Sequence, residues 1–188
     1  VSVKHCAFVN FATDVTFKNG AFMHFFDKCA FTLTTGTPTT YSIIGDTGFS
    51  NNGENNRFRD CLWYNRKLIF NQANANADTY FEGCSLDGYG GRAMTVTAGN
   101  VFLNNCHIED ASDLDYGFHV TGLNVGIEVN NCWILPGDKT SFSMFYSDST
   151  CTQMGVAING GCYLNTVTHL APMIGGTGRA ICKGTQFF

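Results

Sequence analysis

The segment Phe102–Asp110, "FLNNCHIED", decides the fold, because its pattern returns along the chain. Aligned on the cysteine, "SVKHCAFVN" (2–10), "FFDKCAFTL" (25–33), "RFRDCLWYN" (57–65), "YFEGCSLDG" (80–88), "EVNNCWILP" (128–136) and "INGGCYLNT" (158–166) repeat it, and "RAICKGT" (179–185) reads as a degraded last copy. Successive cysteines lie 20 to 32 residues apart when Cys151 is left out. An apolar residue stands three places before the cysteine at Val3, Phe26, Phe58, Phe81, Leu103 and Val129. Another stands two places after it at Phe8, Phe31, Trp63, Leu86, Ile108, Ile134 and Leu164.

The residue before the cysteine is His5, Lys28, Asp60, Gly83, Asn105, Asn131, Gly161 and Ile181. Five of these eight are Gly, Asn or Asp, the types that tolerate a left-handed backbone. One such residue between two short strands turns the chain sharply, so each unit reads as strand, one-residue bend, strand. A third strand-like run follows each bend at "TYSIIG" (40–45), "KLIFN" (67–71), "AMTVT" (93–97), "GFHVT" (117–121) and "SFSMFY" (141–146). Three short strands per period of 20 to 30 residues, with no helical periodicity, predict an all-β solenoid: a right-handed parallel β-helix of about seven to eight coils. A β-sandwich has no reason to hold cysteine in a fixed register.

Composition agrees. Only 14% of the 188 residues are charged, against 21 glycines and 17 phenylalanines, which suits a turn-rich β protein with an aromatic core. Length favours one domain over 1–188, and a chain opening at Val1 reads as an excised piece of a longer one. A net charge of −4 with scattered basic residues lacks the electrostatic footprint of a nucleic-acid binder. No apolar run approaches the roughly 20 residues of a membrane helix, so membrane insertion is not expected.

Nine cysteines without zinc-type spacings argue against a structural metal, and neither a metal nor a cofactor is expected. The thiols read as free interior filler, stacked about 4.8 Å apart from coil to coil. Cys151, in the polar "SDSTCTQM", is the exception. Long intervals at 45–57, 110–117 and 147–155 read as loops pushed out of the coil, where binding residues usually sit.

If the cysteine and the second residue after it point inward, the first and third residues after it face solvent. That outward column carries Leu62 and Tyr64, Ser85 and Asp87, His107 and Glu109, Trp133 and Leu135, and Tyr163 and Asn165. Asp87 and Glu109 take the same place on neighbouring coils, with Asp110 as a wider partner. Two carboxyls at such spacing ionise unequally, and one acid with one base or nucleophile is what glycoside hydrolysis requires. Tyr64, Trp133 and Tyr163 offer flat apolar faces for sugar rings, and His107 a hydroxyl contact. Arg92 and His119 on the next strand are further substrate contacts, with Asp115 and Tyr116 beside them.

Stacked coils with "NNC" bends, low charge and abundant Phe resemble the parallel β-helix domains of bacteriophage tailspikes and tail fibres, in the broader pectate-lyase-like group. The resemblance spans Val3 to about Cys182. It implies a homotrimeric, virion-borne protein, folded in the host cytoplasm with free thiols, that binds and often cleaves capsular or O-antigen polysaccharide. The paired Asp and Gly-His-Asp signatures of polygalacturonases are missing, so no catalytic residue transfers by motif. "DYGFH" (115–119) is faintly similar to the alginate-epimerase signature but lacks its Asp-Pro step. Three functions follow as expectations: a two-carboxylate glycoside hydrolase, a uronate polysaccharide lyase using His119 or Tyr116 with Arg92, and a non-catalytic receptor-binding coil.

Overall fold

The computed structural model describes residues 1–35, 40–46, 48, 52–87, 92–109, 116–121, 125–135, 143–148, 155–160, 162–163, 174–176, 179–183 and 186–187, with the backbone alone at 92, 116, 143, 162–163, 174, 179–183 and 186–187. All regular structure among these is β, and no helix occurs. Three parallel sheets run along the stack. The first contains Ser2–Lys4, Phe25–Asp27, Asn56–Arg59, Asp78–Glu82, Gly99–Asn104, Val125–Asn130, Gly155–Asn159 and Arg179–Lys183. The second follows each bend with Ala7–Val9, Ala30–Thr32, Leu62–Tyr64, Ser85–Asp87, His107–Glu109, Trp133–Leu135, Cys162–Tyr163 and Gln186–Phe187. The third has seven strands, from Val15–Phe17 to Ile174–Gly176. Each strand pairs with its counterpart one period away, which is the parallel β-solenoid expected from the repeat.

The bends take the conformation that the residue types imply. His5, Lys28, Asp60, Asn105 and Asn131 all have φ between 51° and 53°, and Gly83 has φ 63°. At Gly83 a Cβ would lie 2.6 Å from the Asp60 carboxylate oxygen stacked beneath it, so any other residue there must displace the Asp60 side chain. At each bend the thiol donates to backbone carbonyls of its own coil and of the neighbouring one. Cys84 Sγ reaches Phe58 O at 3.3 Å, and Cys106 Sγ reaches Phe81 O and Asn104 O at 3.4 Å. A small apolar side chain with a weak donor fits this place, hence cysteine. Cys29, Cys61, Cys84, Cys106 and Cys132 are buried and free, whereas Cys6 at the end of the stack is exposed. Burial pushes the Cys84 thiol well above its ordinary value, so it stays protonated as a donor.

Inside, like side chains stack on like. Phe26, Phe58 and Phe81 lie 4.8 and 5.0 Å apart between ring centroids, and Phe8, Phe31 and Trp63 lie 4.9 and 4.8 Å apart. These are the strand spacing itself. Each fully buried ring contributes roughly 1.5–3 kcal/mol of transfer free energy. Phe70, Met94, Phe118 and Phe145 of the third sheet close the core.

The structure corrects the register of the last two copies and the reading of one interval. In the "INGGCYLNT" copy, where Gly161 is expected at the bend, Gly160 takes it (φ 64°), since Asn159 pairs with Asn130 and Gly160 stacks on Asn131. Register therefore shifts by one: Cys162 pairs with Trp133, and Tyr163 pairs with Ile134 instead of Trp133. Cys182 pairs with Ile158, in the column three places before the cysteines. Ile158 is itself buried. On the outward face of the first sheet the Arg57 guanidinium covers the Tyr80 ring at 4.3 Å. Within the interval 45–57, Asn52–Glu54 forms a strand paired with Ala21–Phe22, so this part is scaffold. The intervals 110–115 and 149–154, with Asp110, Asp115 and Cys151, lie outside the described residues.

Arg66 anchors the first coil. Fully buried, it pairs with Asp14 at 2.8 Å and donates to the carbonyls of Phe11 and Ala12. Ser42 donates to the same Asp14 carboxylate. Desolvation raises the Asp14 carboxyl and lowers the Arg66 guanidinium from their ordinary values.

Candidate functional site

Solvent faces the second sheet, and alternation sorts its residues. Leu86 and Ile108 are fully buried, so the residues flanking them point out. Register then stacks Tyr64 on Asp87 and Asp87 on Glu109 in one outward column, and Ser85 on His107 and His107 on Trp133 in the other. Four consecutive rungs, spanning about 14 Å along the axis, carry an aromatic, two acids with a histidine, and a second aromatic. Tyr64 and Trp133 are 58% and 44% exposed.

His107 lies between the acids. Its Nδ1 is 3.9 Å from Asp87 Oδ1 and its Nε2 is 3.6 Å from Glu109 Oε2, both beyond direct hydrogen-bond reach. One donor atom from each of the three residues falls within 4.8 Å of the others. Ser85, which the sequence reading left without a role, donates its hydroxyl to Asp87 Oδ1 at 3.0 Å. The only signal for it was its place two residues before Asp87 on the same strand face. The side chains of Asp87, His107 and Glu109 are 28%, 40% and 46% exposed, so all three are open to solvent.

The arrangement can act in two ways. Two carboxylates this close suit a proton donor with a nucleophile, and one imidazole with two carboxylates suits a divalent cation.

His119 is elsewhere. It lies on the outward face of the third sheet, paired with Thr95 and Tyr146, so it does not join the Asp87 group. Its Nε2 is 3.4 Å from Asp148 Oδ2, and its ring lies 5.9 Å from that of Tyr146. Asp148 and Tyr146 were not among the sequence candidates; "SDST" read only as a polar loop. Arg92 opens the strand Arg92–Val96 opposite Leu68, and Tyr116 opens Tyr116–Val120 opposite Ser143. Tyr163 pairs with Ile134, one place off the register expected for a partner of Trp133.

Comparison with protein-family models, with curated proteins and with solved structures finds no match for the chain.

Proposed function

We propose that the chain is a tailspike-type domain that binds bacterial surface polysaccharide along its second sheet and hydrolyses it through Asp87 and Glu109. The observation that carries this reading is the in-register stack of Tyr64, Asp87 and Glu109 beside His107 and Trp133. Aromatic faces at both ends suit the C–H faces of successive sugars, and the acids lie under the bond between them.

The short separation of the acids, within 4.8 Å between carboxylate oxygens, favours a retaining mechanism, which uses carboxyls about 5–5.5 Å apart. Asp87, held by Ser85, attacks the anomeric carbon while Glu109 gives its proton to the departing glycosidic oxygen. The C–O bond breaks and a glycosyl ester forms on Asp87. Water then adds to the anomeric carbon, its proton passes to Glu109, and Asp87 is released. His107 lies between the two carboxylates, close enough to contact a sugar hydroxyl. Assembly as a homotrimer on a virion belongs to the same proposal and rests on the resemblance alone.

The test is incubation with capsular and O-antigen polysaccharides. New reducing ends without ultraviolet absorbance are expected, and Asp87→Asn or Glu109→Gln abolishes them. Undiminished cleavage by both variants overturns the site; a wild type that binds polymer and cleaves none leaves a receptor-binding coil.

A second reading, a uronate lyase, is favoured by the His119–Asp148 pair beside Tyr146. There His119 would remove the proton α to the uronate carboxylate, and the unsaturated product would absorb in the ultraviolet.

A further inference from the structure

We propose that Asp87, His107 and Glu109 form a binding site for a divalent transition-metal ion of the zinc type, and that the bound ion blocks the carboxylate chemistry. The site stands on geometry alone; the blocking rests on the hydrolytic reading above.

A tetrahedral ion with bonds of about 2.0–2.2 Å to nitrogen and oxygen sets neighbouring donor atoms about 3.4 Å apart. His107 Nε2 and Glu109 Oε2 are already 3.6 Å apart, and one donor from each residue lies within 4.8 Å of the others. Closing the remaining ångström takes side-chain rotation only, since the carriers are hydrogen-bonded rungs in register. His107 is free to turn, because neither carboxylate is within hydrogen-bond distance of its ring.

The donor set chooses the ion. Calcium and magnesium take oxygen ligands in larger number, whereas an imidazole with two carboxylates suits zinc, cobalt or nickel. Ser85 orients the Asp87 carboxylate as an outer partner. The half-exposed His107 and Glu109 side chains leave the ion's remaining position open to water. With both carboxylates coordinated, neither attack nor proton donation is available.

The experiment is titration of the reduced chain with Co²⁺, followed by visible absorption. One equivalent should give d–d bands without the near-ultraviolet charge-transfer band that thiolate ligands produce. His107→Ala should weaken binding at least tenfold; His107→Gln, equally exposed, serves if the alanine variant unfolds. No saturable binding, thiolate bands, or binding indifferent to both His107 variants overturns the site. Polysaccharide cleavage is then followed with one equivalent of Zn²⁺ and with chelator. Loss of cleavage with zinc and its return with chelator is expected, and cleavage unchanged by zinc overturns the blocking. A wild type that binds Co²⁺ as described yet cleaves nothing upholds the metal site while overturning both the blocking and the hydrolytic reading.

Discussion

Asp87 and Glu109 are Cα partners on adjacent parallel strands, so their carboxylates leave the same face one rung apart. Nothing in the fold requires two acids there: like charges stacked in a sheet repel, and the core lies on the other side. Glu109→Gln and Asp87→Asn should each lower the rate of polysaccharide cleavage by about 10²-fold or more. Both side chains are solvent-facing, so thermal unfolding should change by no more than about 0.5 kcal/mol. Initial-rate assays beside melting curves separate the two effects.

The bends give a backbone prediction. Asn105 has φ 53°, and an ordinary L-residue there costs roughly 1–2 kcal/mol. Asn105→Ala should lose about that much in denaturant unfolding, and Asn105→Gly distinctly less. Gly83→Ala should cost more than Asn105→Ala, because its Cβ also meets the Asp60 carboxylate.

Thiol chemistry should follow burial. In the native protein Cys6 should alkylate quickly, while Cys29, Cys61, Cys84, Cys106 and Cys132 should resist until denaturant opens the coil. Peptide mass spectrometry after timed labelling checks this residue by residue.

Arg66→Met would leave Asp14 buried without its counter-ion and the Phe11 carbonyl without its guanidinium donor, while Ala12 O keeps the Thr40 hydroxyl. A loss of about 3–5 kcal/mol is expected, as for other broken buried pairs. The double variant Asp14→Leu/Arg66→Met should recover much of it, measured by equilibrium unfolding.

Acid stability should depend on Asp27. The hydrogen bonds from Arg59, at 3.0 and 3.1 Å, hold its carboxyl below the ordinary 3.8. A depressed folded value contributes stability that is present above 3.8 and lost as pH falls through the folded value. The difference in unfolding midpoint between wild type and Asp27→Asn should therefore shrink below about pH 4.

Much of this was legible in the sequence. The Asn105, Asn131 and Gly83 bends, the cysteine column and the apolar ladders all lie within a nine-residue unit, and local φ preference with alternation is enough to read them. Reading went wrong where the unit was ambiguous. "NGGC" offers two glycines for one bend, and only the pairing of Asn159 with Asn130 shows that Gly160 takes it. That single step moved Tyr163 from the register position of Trp133 to that of Ile134. Asp148 was missed for a different reason: its partner His119 lies a full period away in the chain.

By itself, then, the sequence determined the architecture, because a parallel coil repeats one local rule and each repeat states it again. It also determined which residues face outward on each rung, since alternation is a property of the single strand. What each outward residue meets was decided by tertiary structure. The juxtaposition of Asp87, His107, Glu109 and Ser85 depends on inter-coil register and on rotamers across two rungs, and the pairing of residues distant in the chain is set only when the coils stack.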